Sequence, residues 1–173
     1  MHAVVLGDSA VRLWGLTAAE RIRRQLRSEG IELHPGGVET LPPDTTLLLL
    51  RGDCLYDDRV IRGLVKARSV LLEVDDDGEV FPAAAHIEIK DAQRVGERLG
   101  GGRAPLAEGD VATVGVAQVA QGFEMGLRKL DRPYVLRISA GRQAVLEQLL
   151  FSGAYKGVTD LVTKWLWPAP AQQ

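Results

Sequence analysis

Two Gly-Asp pairs carry the residues best placed for chemistry in this 173-residue chain. Gly7-Asp8 follows the apolar run "HAVVL", and Gly52-Asp53 follows "TTLLLLR". A parallel-sheet strand that ends in a carboxylate can deliver it to the rim of an α/β sheet, where a cation or a phosphate-bearing ligand binds. Asp53 is thus a candidate metal ligand, and Asp8 is a second one if its loop folds back. Each has a competing structural use. A strand-end Gly-Asp also serves as a turn with a capping carboxylate, and a lone carboxylate is a poor Mg²⁺ site. Asp8 otherwise reads as an Asx-turn residue, the reading its position favours.

Other short signals divide in the same way. Arg12, Arg21, Arg23 and Arg24 offer an anion site, or a solvated helix face. "DDDG" at 75–78 has carboxylates for calcium but lacks alternating ligand spacing and a distal glutamate, so it reads as a turn. "GGGR" at 100–103 follows a helix end rather than a strand and reads as a linker. His2, His34 and His86 show no metal-ligand spacing. Cys54 has no basic partner in sequence and reads as a small buried residue. Near the end, Val158, Leu161, Val162 and Trp165 make one helical stripe. Lys156 and Lys164 flank it, with Trp165 and Trp167 at the end, and indoles and lysines favour a membrane–water boundary. The alternative is a helix packed on its own sheet.

These residues need elements to position them. "HAVVLG" reads as a first strand. Thr17 and Glu20 have capping-box spacing, with a helix following to a stop at Gly30. "IELH" (31–34) reads as a second strand and "PGGVETLPPD" as a loop. "TTLLLLR" is apolar on both faces, as a central parallel strand should be. Asp57 or Asp58 caps a helix with Val60, Ile61, Leu64 and Val65 inward. "SVLLEV" is a strand, "DDDGEV" turns it into a hairpin, and "HIEIK" alternates like a half-exposed strand. "DAQRVGERLG" is a helix and "GGGRAPLAEGD" a connection. Residues 111–130 carry a weak signal, leaning to helix in the later part. "YVLRI" (134–138) is a last strand, and "RQAVLEQLLF" and "VTDLVTKWLW" are helical. This order predicts a three-layer α/β/α fold with a mostly parallel central sheet. Ligands then belong at the carboxyl ends of the first and third predicted strands, where Gly7-Asp8 and Gly52-Asp53 lie.

The totals set bounds. Apolar residues make up 46% and charged residues 25%, ordinary for a globular protein with a core. A formal charge of −2 gives no global pull toward nucleic acid. The single cysteine allows no internal disulfide and suits a reducing compartment. No run approaches the roughly 20 apolar residues that cross a bilayer.

With these elements in place, the chain resembles the sugar-phosphate nucleotidyltransferase family. "LTAAERIRRQLRSEGI" (16–31) is similar to the family's helix after the glycine-rich nucleotide loop. "LLLLRGDCLYDDRVIRGLV" (47–65) is similar to its later strand and metal-binding Gly-Asp. The resemblance implies a nucleotide-diphospho-sugar-transferase-like fold, with Asp53 as metal position for Mg²⁺. It also implies a nucleotide site at Gly7, Asp8, Arg12 and Gly52 for a cytidine nucleotide. "LEQLLFSGAYKGVTDLVTKWLWP" (146–168) further resembles the junction in fused proteins of the CDP-alcohol phosphatidyltransferase family. There, a cytosolic nucleotidyltransferase-like domain leads into an amphipathic helix and a membrane-embedded transferase.

The departures bear on chemistry. The loop "LGDSAVRLWGL" is short and has no lysine; only Arg12 is available for phosphates. "RISAGRQAVLE" supplies no second aspartate for the metal. The expectation is a nucleotidyltransferase-like domain over 1–152 that has lost its catalytic set, then a juxtamembrane helix and tail over 153–173. The implied partners are its own membrane-embedded transferase domain and a second copy in a homodimer. The implied location is the cytoplasmic face of the inner membrane. An active CTP-dependent nucleotidyltransferase and a non-enzymatic interaction module are the alternatives.

Overall fold

The computed structural model describes residues 1–102, 111–120 and 132–153. Its centre is a five-stranded sheet of mixed direction. β1 (His2–Leu6) pairs in parallel with β2 (Thr46–Arg51). β2 pairs antiparallel with β5 (Glu79–Glu88), which pairs antiparallel with β4 (Val70–Asp76). β6 (Ala112–Val114) closes the order, parallel to β4. Four strands therefore share one direction, and only β5 runs against them. The hairpin forces this arrangement. Asp77 and Gly78 both have positive φ, at 57° and 86°, which makes the tight two-residue turn that matches strand twist.

β2 explains the core. Leu47, Leu48, Leu49 and Leu50 are all 0% exposed. Side chains alternate across a strand, so both faces of β2 must be covered. Leu48 and Leu50 join Ile22 and Leu26 of α1 (Ala18–Ser28) and Val60, Ile61 and Leu64 of α2 (Asp58–Lys66). Leu47 and Leu49 join Ala92, Val95 and Leu99 of α3 (Ala92–Leu99). The capping box of α1 forms as predicted: Glu20 N–H donates to Thr17 Oγ1 and Thr17 N–H to Glu20 Oε2, at 3.1 and 2.8 Å. Asp57 caps α2 through Arg59 N–H at 2.8 Å.

Three expectations need correction. The strand predicted at 31–34 is only an isolated bridge between Ala3 and Leu33, because Pro35 and two glycines follow at once. The last strand is not part of the main sheet. It is β7 (Val135–Arg137), paired with β3 (Cys54–Tyr56) in a separate two-stranded sheet. "HIEIK" is not a strand by itself. Residues 86–88 end the ten-residue β5, and Ile89–Asp91 form a 3₁₀ turn. Pro82 hides this strand in the sequence, since proline cannot donate to a ladder. The ladder accommodates it beside the register shift at Leu72/Glu73.

In the region of weak signal, β6 precedes α4 (Val116–Val119), and the leaning to helix beyond them lies outside the described residues. "RQAVLEQLLF" falls within a helix over 143–153, and "VTDLVTKWLW" also lies outside the described residues. Among the described residues, no helix is long and apolar enough to cross a membrane.

α2 and α4 meet backbone to backbone. A Cβ at Gly63 would lie 1.8 Å from the carbonyl oxygen of Val119. In an exposed helix, replacing glycine with alanine would raise stability. Here the methyl group has no room, so Gly63→Ala is expected to lose about 2 kcal/mol in urea denaturation. A gain in stability would show that the two helices do not touch this way.

Candidate functional site

The fold brings the two Gly-Asp pairs to one place, at the carboxyl ends of the adjacent strands β1 and β2. Gly52 N–H donates to Leu6 O at 2.8 Å. A Cβ on Gly52 would lie 2.1 Å from the Gly7 carbonyl oxygen. Gly52 is thus needed for contact between two protein backbones. Gly7 itself has a φ of 70°, the left-handed turn that redirects the chain off β1.

The side chains here are already engaged. Asp8 Oδ1 accepts from Ser9 N–H at 2.8 Å. Arg12 donates through Nη1 to Gly15 O at 3.0 Å and lies 3.6 Å from Glu20. Trp14, also at positive φ, donates its backbone N–H to Glu147 Oε1 and its indole N–H to Glu147 O, at 3.0 and 3.1 Å. Gln143 Nε2 donates to Arg12 O at 3.1 Å. The loop after β1 is therefore tied to the helix over 143–153.

Asp53 faces its own strand's arginine. Arg51 Nε donates to Asp53 Oδ1 at 2.9 Å and Arg51 Nη2 to Oδ2 at 2.6 Å. This two-pronged pair uses both carboxylate oxygens. The hydrogen bonds from Arg51 lower the Asp53 pKa, although partial burial opposes them. Burial pushes the neighbouring Cys54 thiol up to about 12, so it stays protonated and unreactive at neutral pH. Among the described residues, no group of three or more histidine, cysteine, aspartate or glutamate side chains gathers to hold a metal.

Beyond Asp53 a chain of alternating charges occupies the rim. The Arg51 and Arg137 guanidiniums lie over the Phe81 ring, 5.3 and 4.3 Å from its centroid. Arg137 Nη1 donates to Glu79 at 2.6 Å, and its backbone N–H donates to Asp76 Oδ2 at 2.9 Å. Arg142 grips both Asp76 oxygens, at 2.5 and 2.9 Å. This holds the Asp76 carboxyl below its ordinary pKa. Beneath, the buried Tyr56 hydroxyl accepts from Arg51 N–H at 3.0 Å and donates to Ala83 O at 2.7 Å. It stitches the end of β2 to β5.

Sequence reasoning found Gly7, Asp8, Gly52 and Asp53 and their common location. It missed Arg51, whose position two residues before Asp53 was a readable signal. It also missed Tyr56, Asp76, Phe81, Arg137 and Arg142, which meet only across strands. The four candidate arginines are split. Arg12 stays with the first loop, Arg23 lines a hollow with Arg27, and Arg21 and Arg24 line a different cavity. Lys156, Lys164, Trp165 and Trp167 lie outside the described residues.

Chemically, this rim consists of neutralised carboxylates and stacked cations. It can hold β7 and the helix over 143–153 against the main sheet. It presents no gathered metal ligands among the described residues. No family model matches the sequence, and comparison with curated proteins gives no match.

Asp76 should be the most sensitive member. Asp76→Asn is expected to cost about 2 kcal/mol, since it breaks charge-assisted bonds to a poorly exposed carboxylate. Asp77→Asn, on an 88% exposed side chain, should change stability by less than about 0.5 kcal/mol. The lowered Asp76 pKa sets the pH dependence. Its contribution is complete above the ordinary aspartate value of 3.8 and disappears as pH falls through the lower folded value. Urea midpoints measured from pH 6 down to about pH 2 should therefore converge for wild type and Asp76→Asn.

Proposed function

We propose that this chain is a nucleotidyltransferase-like domain without turnover, serving a membrane CDP-alcohol phosphatidyltransferase. The whole protein would move a phosphatidyl group from a CDP-linked lipid to an alcohol and release CMP. This domain would position, regulate or dimerise the membrane part. The observation that carries the reading is the Arg51–Asp53 pair. In the resembling family the aspartate at this position binds metal, whereas here both of its oxygens accept from one guanidinium.

Further support comes from the glycine pair. A nucleotide loop needs open backbone N–H groups. Gly52 N–H is spent on Leu6 O, and the Gly52 Cα presses on the Gly7 carbonyl. The finer, three-layer transferase-like architecture is part of the proposal. It is supported by α1 and α2 sharing one core cluster while α3 belongs to another.

Calorimetry with CTP and Mg²⁺ tests the loss of chemistry. The expected result is no saturable heat and no pyrophosphate release. Pyrophosphate release that Asp53→Ala abolishes would overturn it. The membrane role is tested on membranes from cells expressing the gene. CMP release from a CDP-linked lipid should occur and should survive Asp53→Ala; no release with any alcohol acceptor would count against the reading.

A further inference from the structure

A second location has the lining of a binding site. A cavity of about 620 Å³ lies between α1, β3, the start of α2 and the helix over 143–153. Of the residues described at the Asp53 rim it includes Tyr56, and none of the rim's charged side chains. Leu55 from β3 and Leu149 and Leu150 from the helix give it an apolar wall. Arg21 and Arg24 of α1 and Arg132 ahead of β7 give it cations.

The charges do not cancel. Four arginines and two aspartates line the cavity. Asp57 caps α2 and pairs with Arg59 at 2.6 Å. Asp58 accepts from Gln25 Nε2 at 2.7 Å. Arg21, Arg24 and Arg132 are left with no carboxylate within ion-pair distance among the described residues. Arg21 donates through Nη2 to Leu13 O, but its Nε is buried with no hydrogen-bond partner. Burial first, and then the charge of Arg24, disfavour the Arg21 cation. An arriving anion would answer the repulsion between these neighbouring cations.

We propose that this cavity binds an organic phosphate, its phosphate held by Arg21, Arg24 and Arg132 and its apolar group set against Leu55, Leu149 and Leu150. Guanidinium forks match phosphate geometry, and several from different elements define a location rather than a diffuse field. The phosphate could belong to a lipid headgroup or to a free metabolite; the chemistry recognised is the same. This inference does not depend on the state of the Asp53 rim.

The test titrates the full chain with phenyl phosphate and, separately, with phosphatidylcholine vesicles with and without phosphatidylglycerol. Saturable binding is expected in at least one arm, and the arm that saturates names the source. Arg24→Gln and Arg132→Gln should each weaken it about tenfold, the worth of a charge-assisted hydrogen bond. Neither side chain makes a hydrogen bond among the described residues, so the fold should survive, and urea midpoints check this. Arg23→Gln, on the same helix but outside the cavity, should change binding by less than about twofold. No saturation in either arm would overturn the proposal. So would equal losses from Arg23→Gln and Arg24→Gln, which would mean attraction to overall charge alone.

Discussion

The burial of β2 on both faces and along both edges is the constraint from which the rest of this structure follows. Four consecutive leucines cannot be left against water on either side, since each contributes roughly 1.5–3 kcal/mol when buried. Leu48 and Leu50 join the cluster that holds α1 and α2, and Leu47 and Leu49 join the one that holds α3. The two edges require β1 and β5. The chain meets the second requirement by folding the β4–β5 hairpin back, so that an antiparallel strand separates β2 from β4. That insertion puts Phe81, Ala83 and the start of β5 beside the polar end of β2.

What happens at that end follows from the insertion. Strand polarity brings Arg51, Asp53 and Asp76 toward one rim, where α/β sheets commonly bind ligands. Here the rim is closed by its own side chains. Arg51 answers Asp53, Arg142 answers Asp76, and Phe81 lies against two guanidiniums. Tyr56 bonds to β2 and β5 beneath them. β7 is anchored to the hairpin through Arg137 and Asp76, and it carries the chain into the helix over 143–153. The same paired charges tie β7 and the helix over 143–153 to the main sheet. Removing one partner of such a poorly exposed pair is costly, because it leaves the other charge uncompensated.

Much of this was legible in the residues. The period and composition of "TTLLLLR", the Thr17–Glu20 capping box and the Asp-Gly turn at 77–78 each act over a few residues, and each formed as read. The loop after the first strand was legible as poor in glycine and lysine. The strand through Pro82 was not, because a proline signals an edge or a break unless a register shift absorbs it. Nor was the pairing of β7 with β3, since Val135 and Tyr56 are far apart in sequence and either could have joined the main sheet.

The sequence by itself determined which segments are buried, where helices begin and where the chain must turn, because these depend on side-chain period and on bonds between near neighbours. Tertiary structure alone decided which charges from distant segments meet. Whether Asp76 meets Arg142, and whether α1 presents Arg21 and Arg24 to solvent or to a cavity, depends on groups brought together from distant segments. A carboxylate looks the same in sequence whether or not a guanidinium will reach it, and only the packing around β2 settles which one does.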